Sequence, residues 1–417
     1  MNAVKAEIIA IGDELLYGQV LDTNSHWISQ ELDKIGVRVV YRTTIGDDRE
    51  VILDAFERAG KRAEIVLITG GLGPTNDDLT KPLLAEYFNS KIELVPEALE
   101  DVREFFLKRG RELTELNALQ AHLPTNCRYI KNEVGTAPGM WFQEEGAVWM
   151  SMPGVPHEMK RLMTQFVLPE CMKIFELPII YHKLIKTVGI GESWLADLLK
   201  GWEKELPEFI KLAYLPSMGE VRLRLTAIGQ DFGFMANQVE EQIIKLLPII
   251  STYVYGYDND TLPEVIGSQL KKYNQTLAVA ESCTGGYLSH LITSIAGSSS
   301  YFNGAIVPYH NEYKISELDV ESRTLESRGA VSEETVTEMA RNVRRKFKTD
   351  YGLSTSGIAG PGGGTEDKPV GTVWVACDSQ RGTVTKKLQL SSGRDLNIHL
   401  TSISALNLLR ICLGEKH

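Results

Sequence analysis

Short apolar runs alternate with amphipathic segments along the first part of the chain. The runs AEIIAIG, VRVVYRTTIG and AEIVLITGG have the length and composition of strands, whereas TNSHWISQELDKIG and REVILDAFERAGKR repeat apolar residues at helical spacing. Strands separated by helices of this length predict consecutive βαβ units and a parallel sheet with both faces covered. In such a sheet the carboxyl ends of the strands carry the ligand site.

The pattern changes in the middle of the chain. HKLIKTVGIGESWLADLLKGW, IKLAYLPSMGEVRLRLTAIG and NQVEEQIIKLLPII predict a small β-α-β-β-α arrangement, and STYVYGYDNDTLPEV, rich in Tyr, Asp and turn formers, is predicted as a linker. Helix and strand signals then alternate again to the end of the sequence. We therefore predict an α/β fold class in three parts: a parallel-sheet domain over residues 1–172, a small α+β domain with its linker over 173–255, and an α/β domain over 256–417.

Composition narrows the functional classes. The 417 residues carry a formal net charge of −11, which argues against a non-specific nucleic-acid binder with a basic surface. The 5 cysteines form no CxxC pair, so they indicate neither a zinc ribbon nor a disulfide framework and favour a reducing compartment. Without a signal-like N-terminus or a run of about 18 apolar residues, the sequence predicts a cytoplasmic protein with no membrane span.

A glycine-rich turn follows the strand AEIVLITGG and leads into LGPTNDDLTKPLLAEYF. Backbone N–H groups at such a strand-to-helix junction suit phosphate. The residues predicted to bind it are Gly70, Gly71, Gly73 and Thr75. Asp77 and Asp78 follow in the same loop, where a divalent cation between carboxylate and phosphate would remove the charge conflict.

Two more acidic turns end the preceding strands, at Asp13 and at Asp47. Because the ends of parallel strands converge on one edge, Asp13, Asp47 and Asp78 are predicted to face one pocket and to hold a divalent metal. The alternative is that each aspartate caps the next helix. Three such residues beside one glycine-rich turn favour the metal site.

The same residues carry a resemblance to a known family. TGGLGPTNDDLT resembles the signature of the molybdopterin-binding fold of molybdopterin adenylyltransferases, and GDELLYGQVLDTNS with PGVPHEM makes residues 4–170 similar to the N-terminal part of the CinA family. The resemblance implies a metal-dependent ADP-ribose pyrophosphatase, with Asp47 and Asp78 matching the two loop aspartates of the adenylyltransferases. Leu72 replaces the Thr of the adenylyltransferase pattern, which weakens the molybdopterin interpretation.

The third part of the chain has its own candidate nucleophile. The strand TLAVA ends in ESCTGG, which places the Ser282 hydroxyl at a strand-to-helix turn. The alternatives are that Ser282 caps the helix with support from Thr284, and that Cys283 is the nucleophile rather than a buried apolar residue. The candidate bases are Lys314, His290, His310 and His399. Lys314 would serve if burial lowers its pKa, and a solvated surface lysine is the alternative.

A second glycine-rich stretch, STSGIAGPGGGT, follows a later strand. Its hydroxyl and N–H groups suit an oxyanion or a phosphate, whereas the alternative is a flexible loop. The residues predicted to bind substrate there are Ser356, Gly357, Gly360 and Gly362. Arg394, just before the last helix, is predicted to bind phosphate through its guanidinium.

AESCTGG, GAVSEETV, SGIAGPGGG and KPVGTVW resemble the C-terminal domain of the CinA family, the nicotinamide-mononucleotide deamidases, over residues 262–413. The resemblance implies hydrolysis of nicotinamide mononucleotide to nicotinate mononucleotide and ammonia without a cofactor, and a homodimer. The positions matching the family's functional residues are Ser282, Thr284, Tyr309, Lys314, Ser356 and Arg394.

These expectations combine into a bifunctional enzyme of pyridine-nucleotide metabolism that acts on nicotinamide mononucleotide and ADP-ribose. The alternative is that the first domain only binds a nucleotide or pterin, or regulates competence. The small middle domain has the rhythm of a KH module, but VGIGES lacks the basic residues of a loop that clamps a nucleic-acid backbone, so nucleic acid is not an expected partner.

Overall fold

The computed structural model describes residues 4–75, 78–144 and 146–414. They form two compact units. One runs up to Tyr181 and includes Ile228–Gly233, and the other contains His182–Ala227 and the chain from Phe234 onward.

The first unit is built on a six-stranded sheet. The strands of this unit are β1 (Lys5–Ile11), β2 (Arg38–Ile45), β3 (Ile65–Thr69), β4 (Ile92–Leu94), β5 (His122–Pro124), β6 (Arg128–Ile130), β7 (Gly139–Glu144) and β8 (Ala147–Met152). Strands β4 and β5 form a separate two-stranded sheet, and the others form the large sheet. Its helices are α1 (Asp13–Leu16), α2 (Thr23–Lys34), α3 (Arg49–Gly60), α4 (Thr80–Tyr87), α5 (Pro96–Leu107), α6 (Glu115–Ala118), α7 (Pro156–Leu162) and α8 (Leu168–Ile174). A 3₁₀ turn, Leu119–Ala121, follows α6, and a π-helical segment, Met163–Val167, joins α7 to α8.

The strand order of the large sheet is β2-β1-β3-β8-β7-β6. The predicted βαβ units are confirmed, because β2, β1, β3 and β8 pair in parallel. The sheet is not wholly parallel, since β7 and β6 extend it antiparallel. Only two residues separate β7 from β8, and so short a connection permits only antiparallel pairing. Both faces of β1 and β3 are buried, with Ile8 and Ile9 fully covered on opposite sides.

A smaller four-stranded sheet has the order β10-β11-β9-β12. Its elements are β9 (Ile179–Val188), α9 (Glu192–Lys204), β10 (Ile210–Ser217), β11 (Glu220–Gly229), α10 (Phe232–Ile250) and β12 (Val254–Tyr257). The predicted β-α-β-β-α order is confirmed. The predicted linker is wrong at its start, because Val254–Tyr257 pairs antiparallel with β9. Tyr255 is only 7% exposed there, and the turn-forming residues of the segment begin after the strand.

The remaining sheet has the order β14-β13-β15-β16-β17, with β14, β13 and β15 parallel and the last two strands antiparallel. Its strands are β13 (Leu277–Glu281), β14 (Phe302–Ile306), β15 (Tyr351–Gly357), β16 (Thr372–Ser379) and β17 (Gly382–Gln389). Its helices are α11 (Leu262–Lys272), α12 (Tyr287–Thr293), α13 (Asn311–Leu318), α14 (Ser322–Arg328), α15 (Glu333–Phe347) and α16 (Arg394–Gly414). The α/β fold class predicted from the sequence is thus confirmed.

Helices cover both faces of this last sheet. α16 packs with α11 and α12 on one face, and α15 packs on the other. Within the described ranges, α16 is the one helix whose length and mean hydropathy of 1.3 would allow it to cross a bilayer, yet 61% of that stretch is buried inside the protein. Such burial is typical of a core helix.

Candidate functional site

The first unit contains a cleft of about 480 Å³ at the carboxyl ends of β1 and β3. Gly70, Gly71, Gly73, Asp47 and Asp78 all line it, so the structure brings together most of the residues that the sequence singled out there. This is the edge at which a parallel sheet is expected to bind its ligand.

Two glycines of the turn are required by close contacts. Gly70 has a φ of +108°, and a Cβ there would lie 2.1 Å from the carbonyl oxygen of Ile11. Gly71 has a φ of +61°, and a Cβ there would lie 2.3 Å from the hydroxyl oxygen of Thr80. Any larger side chain would strain the backbone and displace its neighbours.

Several N–H groups of the turn already have hydrogen-bond partners within the protein. Gly70 donates to the Met152 carbonyl at 3.1 Å, while Gly73 and Thr75 donate to the Asp78 carboxylate at 2.7 and 3.0 Å. The structure therefore gives Asp78 a role in holding the turn, which the sequence did not suggest. Asp77, the neighbouring acid, lies outside the described residues.

Asp13 and Asp47 are brought together at the ends of β1 and β2. The Asp13 N–H donates to Asp47 Oδ2 at 3.1 Å, and the Asp47 N–H donates to Asp13 Oδ1 at 3.4 Å. Helix capping does not explain this pair, because Asp48 caps α3 through the Val51 N–H, and α1 is preceded by Gly12.

The acidic pair fits a divalent cation better than the predicted trio does. Across residues 4–75, 78–144 and 146–414, no group of three or more His, Cys, Asp or Glu side chains is arranged to hold a metal ion. Mg²⁺, however, commonly takes only one or two carboxylates and fills its other positions with water and substrate phosphate. Asp13 and Asp47 together could supply those carboxylates.

Lys81 lies in the same region, but the sequence analysis did not single it out. Its Nζ donates to the Leu119 carbonyl at 2.9 Å. Burial lowers the pKa of Lys81 to about 8, against an opposing effect of the Asp78 carboxylate. A lysine that follows a glycine-rich turn is only a weak sequence signal of a functional residue. Its hydrogen-bond partner lies 38 residues away along the chain, so the sequence did not indicate this contact.

In the second unit, Ser282 is the first residue after β13, and its N–H donates to the Thr355 carbonyl at 2.9 Å. α12 begins only at Tyr287, so Ser282 is not its N-cap, and the capping alternative is wrong. The Glu281 carboxylate, fully buried, instead accepts hydrogen bonds from the N–H groups of Leu288 and Ser289 at 3.1 and 2.8 Å. The positive end of the α12 dipole thus faces the Glu281 carboxylate.

The two neighbours of Ser282 are buried. Cys283 is 6% exposed, and burial raises the pKa of its thiol to about 12, so it stays protonated at neutral pH. The Thr284 hydroxyl lies 2.7 Å from that of Thr355. Thr284 therefore fastens the loop to β15.

Lys314 is buried rather than solvated. It is 1% exposed, its Nζ donates to the Pro308 carbonyl at 2.9 Å, and burial lowers its pKa. Of the histidines, His290 is exposed on α12, His310 caps α13, and His399 lies 3.1 Å from the Tyr287 hydroxyl. Burial thus moves the pKa of Lys314 in the direction that an amine needs in order to act as a base.

Arg394 joins two of the predicted site segments. Its guanidinium donates to the Gly360 carbonyl at 2.7 Å and to the Tyr309 hydroxyl at 2.8 Å. The glycine-rich stretch and the turn after β14 are therefore held on one side chain at the start of α16.

The other predicted residues of the glycine-rich stretch lie in different environments. Ser356 lies within β15, is 1% exposed, and donates its hydroxyl to the Ala330 carbonyl at 2.6 Å. Gly357 ends that strand against Val373, whereas Gly362 is exposed and open. The structure thus brings Gly360 to Arg394 but gives the Ser356 hydroxyl a different partner.

Comparisons with known proteins divide the chain in three. A probable molybdopterin binding domain matches residues 7–173, the damage-inducible protein CinA KH domain matches 182–256, and the CinA C-terminal domain matches 259–413. Among solved structures, the protein CinA with unknown function from Thermoplasma acidophilum is 33% identical, and the match covers 42% of this chain and 100% of that chain with a TM-score of 0.38.

Curated relatives match nearly the full length. A CinA-like protein of Cytophaga hutchinsonii is 49% identical over 412 residues, 99% of both chains. A CinA-like protein of Flavobacterium psychrophilum is 43% identical over 410 residues, 97% of this chain and 98% of that protein. Identity of this extent over whole chains shows that the protein belongs to the CinA family.

Proposed function

We propose that the second unit hydrolyses nicotinamide mononucleotide to nicotinate mononucleotide and ammonia. The observation that carries this proposal is the link from Arg394 to Tyr309 and Gly360, which holds a cation between the turn after β14 and the glycine-rich stretch. A guanidinium is well suited to the ribose phosphate of such a substrate.

The Ser282 hydroxyl is the proposed nucleophile. Its oxygen attacks the carboxamide carbon, and its proton passes to the amine of Lys314, whose pKa is lowered by burial. Backbone N–H groups of the glycine-rich stretch hold the oxyanion. Collapse of the tetrahedral intermediate releases ammonia, which takes up the proton, and water then hydrolyses the ester to the carboxylate and restores the Ser282 hydroxyl.

Ammonia release from nicotinamide mononucleotide tests this assignment. Ser282→Ala is expected to lower the rate by at least about a thousandfold, whereas Ser299→Ala, at an exposed serine, serves as the matched control. Ammonia release by Ser282→Ala at the wild-type rate would show that Ser282 is not the nucleophile.

A second activity is favoured by the cleft of the first unit. We propose that it hydrolyses ADP-ribose to AMP and ribose 5-phosphate, with water adding across the diphosphate bond and a divalent cation as cofactor. The Asp13–Asp47 pair supports this, because two adjacent carboxylates repel each other and a divalent cation offsets that repulsion. Such an ion would polarise the phosphate when bound.

Asp47→Asn tests most directly whether this activity needs the acidic pair to bind a metal. An asparagine keeps an oxygen to accept the Asp13 N–H but removes one negative charge. We expect the Mg²⁺ or Mn²⁺ concentration for half-maximal ADP-ribose hydrolysis to rise about tenfold or more, while Asp54→Asn, on the exposed side of α3, behaves as wild type. Absence of turnover with every divalent metal tried would favour the alternative, a unit that only binds its ligand.

A further inference from the structure

Two residues that line the first-unit cleft carry a buried amide oxygen without a hydrogen-bond partner among the described residues. Within the described part of the chain, Gln120 Oε1 and Asn24 Oδ1 are both buried and accept no hydrogen bond. Gln120 is only 3% exposed. The orientation of the Asn24 amide is fixed by its nitrogen, which donates to the Gly154 carbonyl at 2.7 Å and to the Thr69 hydroxyl at 3.2 Å.

Unpaired buried amides are costly, and proteins seldom retain them without a use. An amide oxygen can only accept a hydrogen bond. The group that satisfies Gln120 and Asn24 must therefore carry an N–H or an O–H. A phosphate ionised at neutral pH offers acceptor oxygens, so it is not that group.

Gln120 is connected to the glycine-rich turn through the hydrogen bond between Leu119 and Lys81. The carbonyl of the preceding residue, Leu119, accepts the hydrogen bond from Lys81, and Lys81 lies one residue into α4, which follows that turn. The carboxylate of Asp78, which holds the turn, also acts on Lys81. Gln120, Asn24 and Asp47 all line this one cleft. A cleft with an acidic residue that could bind a cation and two unpaired acceptors suits a ligand that carries both anionic groups and hydrogen-bond donors.

We propose that Gln120 and Asn24 select a nucleotide through the donor groups of its nucleoside, either a ribose hydroxyl or an amino group of the base. This inference rests on the proposed nucleotide-binding function of the first unit and names the residues that read the ligand.

The test is calorimetric binding of AMP to the full chain with Mg²⁺ present. Gln120→Leu is expected to bind AMP about tenfold to a hundredfold more weakly, with Gln143→Leu on the exposed part of β7 as the matched control. The ligand-free Gln120→Leu protein should be at least as thermally stable as wild type, because it no longer buries an unpaired amide. A purely structural glutamine would give the opposite change in stability.

Two analogues separate the sources of the donor. Purine riboside monophosphate lacks the 6-amino group of AMP, and 2′-deoxy-AMP lacks one hydroxyl. Wild type should bind at least one of them more weakly than AMP, and Gln120→Leu or Asn24→Leu should remove that difference. Gln120→Met, which keeps an unbranched side chain, repeats the test should leucine impair folding.

The outcomes are distinct. AMP and ADP-ribose binding by Gln120→Leu and Gln120→Met as tight as wild type would overturn the inference while leaving the proposed activity intact. Loss of stability together with binding in both variants would also overturn it. Wild type that binds neither nucleotide would overturn the proposed function of this unit and the inference with it.

Discussion

The Arg394 guanidinium donates a hydrogen bond to the Tyr309 hydroxyl at 2.8 Å, and this bond links the start of α16 to the turn after β14. A second bond from the same group, to Gly360, adds the glycine-rich stretch. A guanidinium has five N–H donors, so these two bonds are compatible with further contacts to a phosphate.

Tyr309→Phe should therefore weaken substrate binding more than chemistry. Removing the hydroxyl leaves Arg394 with one fewer fixed partner, and we expect the KM for nicotinamide mononucleotide to rise about threefold to tenfold with kcat changed less than about twofold. Steady-state ammonia release measures both constants. Tyr313→Phe, at another exposed tyrosine of the same segment, is the control, and an equal effect of both changes would contradict this role for Tyr309.

The buried amine of Lys314 should govern the pH dependence of deamidation. A base must be neutral to accept the Ser282 proton, and burial lowers the Lys314 pKa from its ordinary value of 10.5. The rate should rise with pH up to that lowered pKa and then level off.

Variants of Lys314 distinguish a role as a proton acceptor from a role as a positive charge. Lys314→Met and Lys314→Arg should both lose about a hundredfold to ten-thousandfold in kcat, since arginine stays protonated. Lys386→Met, at an exposed residue of β17, should keep both the rate and its pH profile. Retention of activity by Lys314→Arg would show that the charge, not proton transfer, is what matters.

Cys283 should prove dispensable for chemistry. Because burial raises the pKa of its thiol to about 12, almost no thiolate is present at neutral pH. Cys283→Ala should keep kcat within about twofold and lose roughly 1 kcal/mol in the free energy of unfolding. Ammonia release and urea unfolding measure these effects, and an inactive but folded Cys283→Ala beside an active Ser282→Ala would reverse the assignment.

Much of the architecture was predictable because periodicity and glycine placement are local properties of the chain. The βαβ order around β1 and β3, the β-α-β-β-α rhythm of the small sheet and the turn after β13 were all predicted. β12 was missed because its Tyr-rich residues precede three consecutive turn formers, and only pairing with β9 shows them to be a strand.

Side-chain direction and distant contacts were not predictable. In β15, alternation of successive side chains turns Ser356 toward Ala330 and Thr355 toward Thr284, and sequence gave no means to assign the two faces. Glu281 binds helix N–H groups seven and eight residues later, which required the path of the intervening loop. The contact of Lys81 with Leu119 depends on tertiary packing alone.

Lys81 should make the stability of the first unit depend on pH. Its pKa is about 8 in the folded protein and near 10.5 when unfolded, so between these values the unfolded chain binds more protons. The free energy of unfolding of wild type, relative to Lys81→Met, should therefore rise by about 1–3 kcal/mol as the pH increases from 8 to 10.5. Below the folded pKa the difference should be constant, because Lys81 is then protonated in both states.

Urea unfolding of wild type and Lys81→Met across this range, followed by a probe in the first unit, measures the difference. Lys61→Met removes an exposed lysine that is 71% accessible and pairs with its helical neighbour Glu57. Its difference from wild type should stay flat with pH, because an exposed ammonium loses little hydration on folding. A flat difference for Lys81→Met as well would mean that the ammonium of Lys81 remains hydrated in the folded protein.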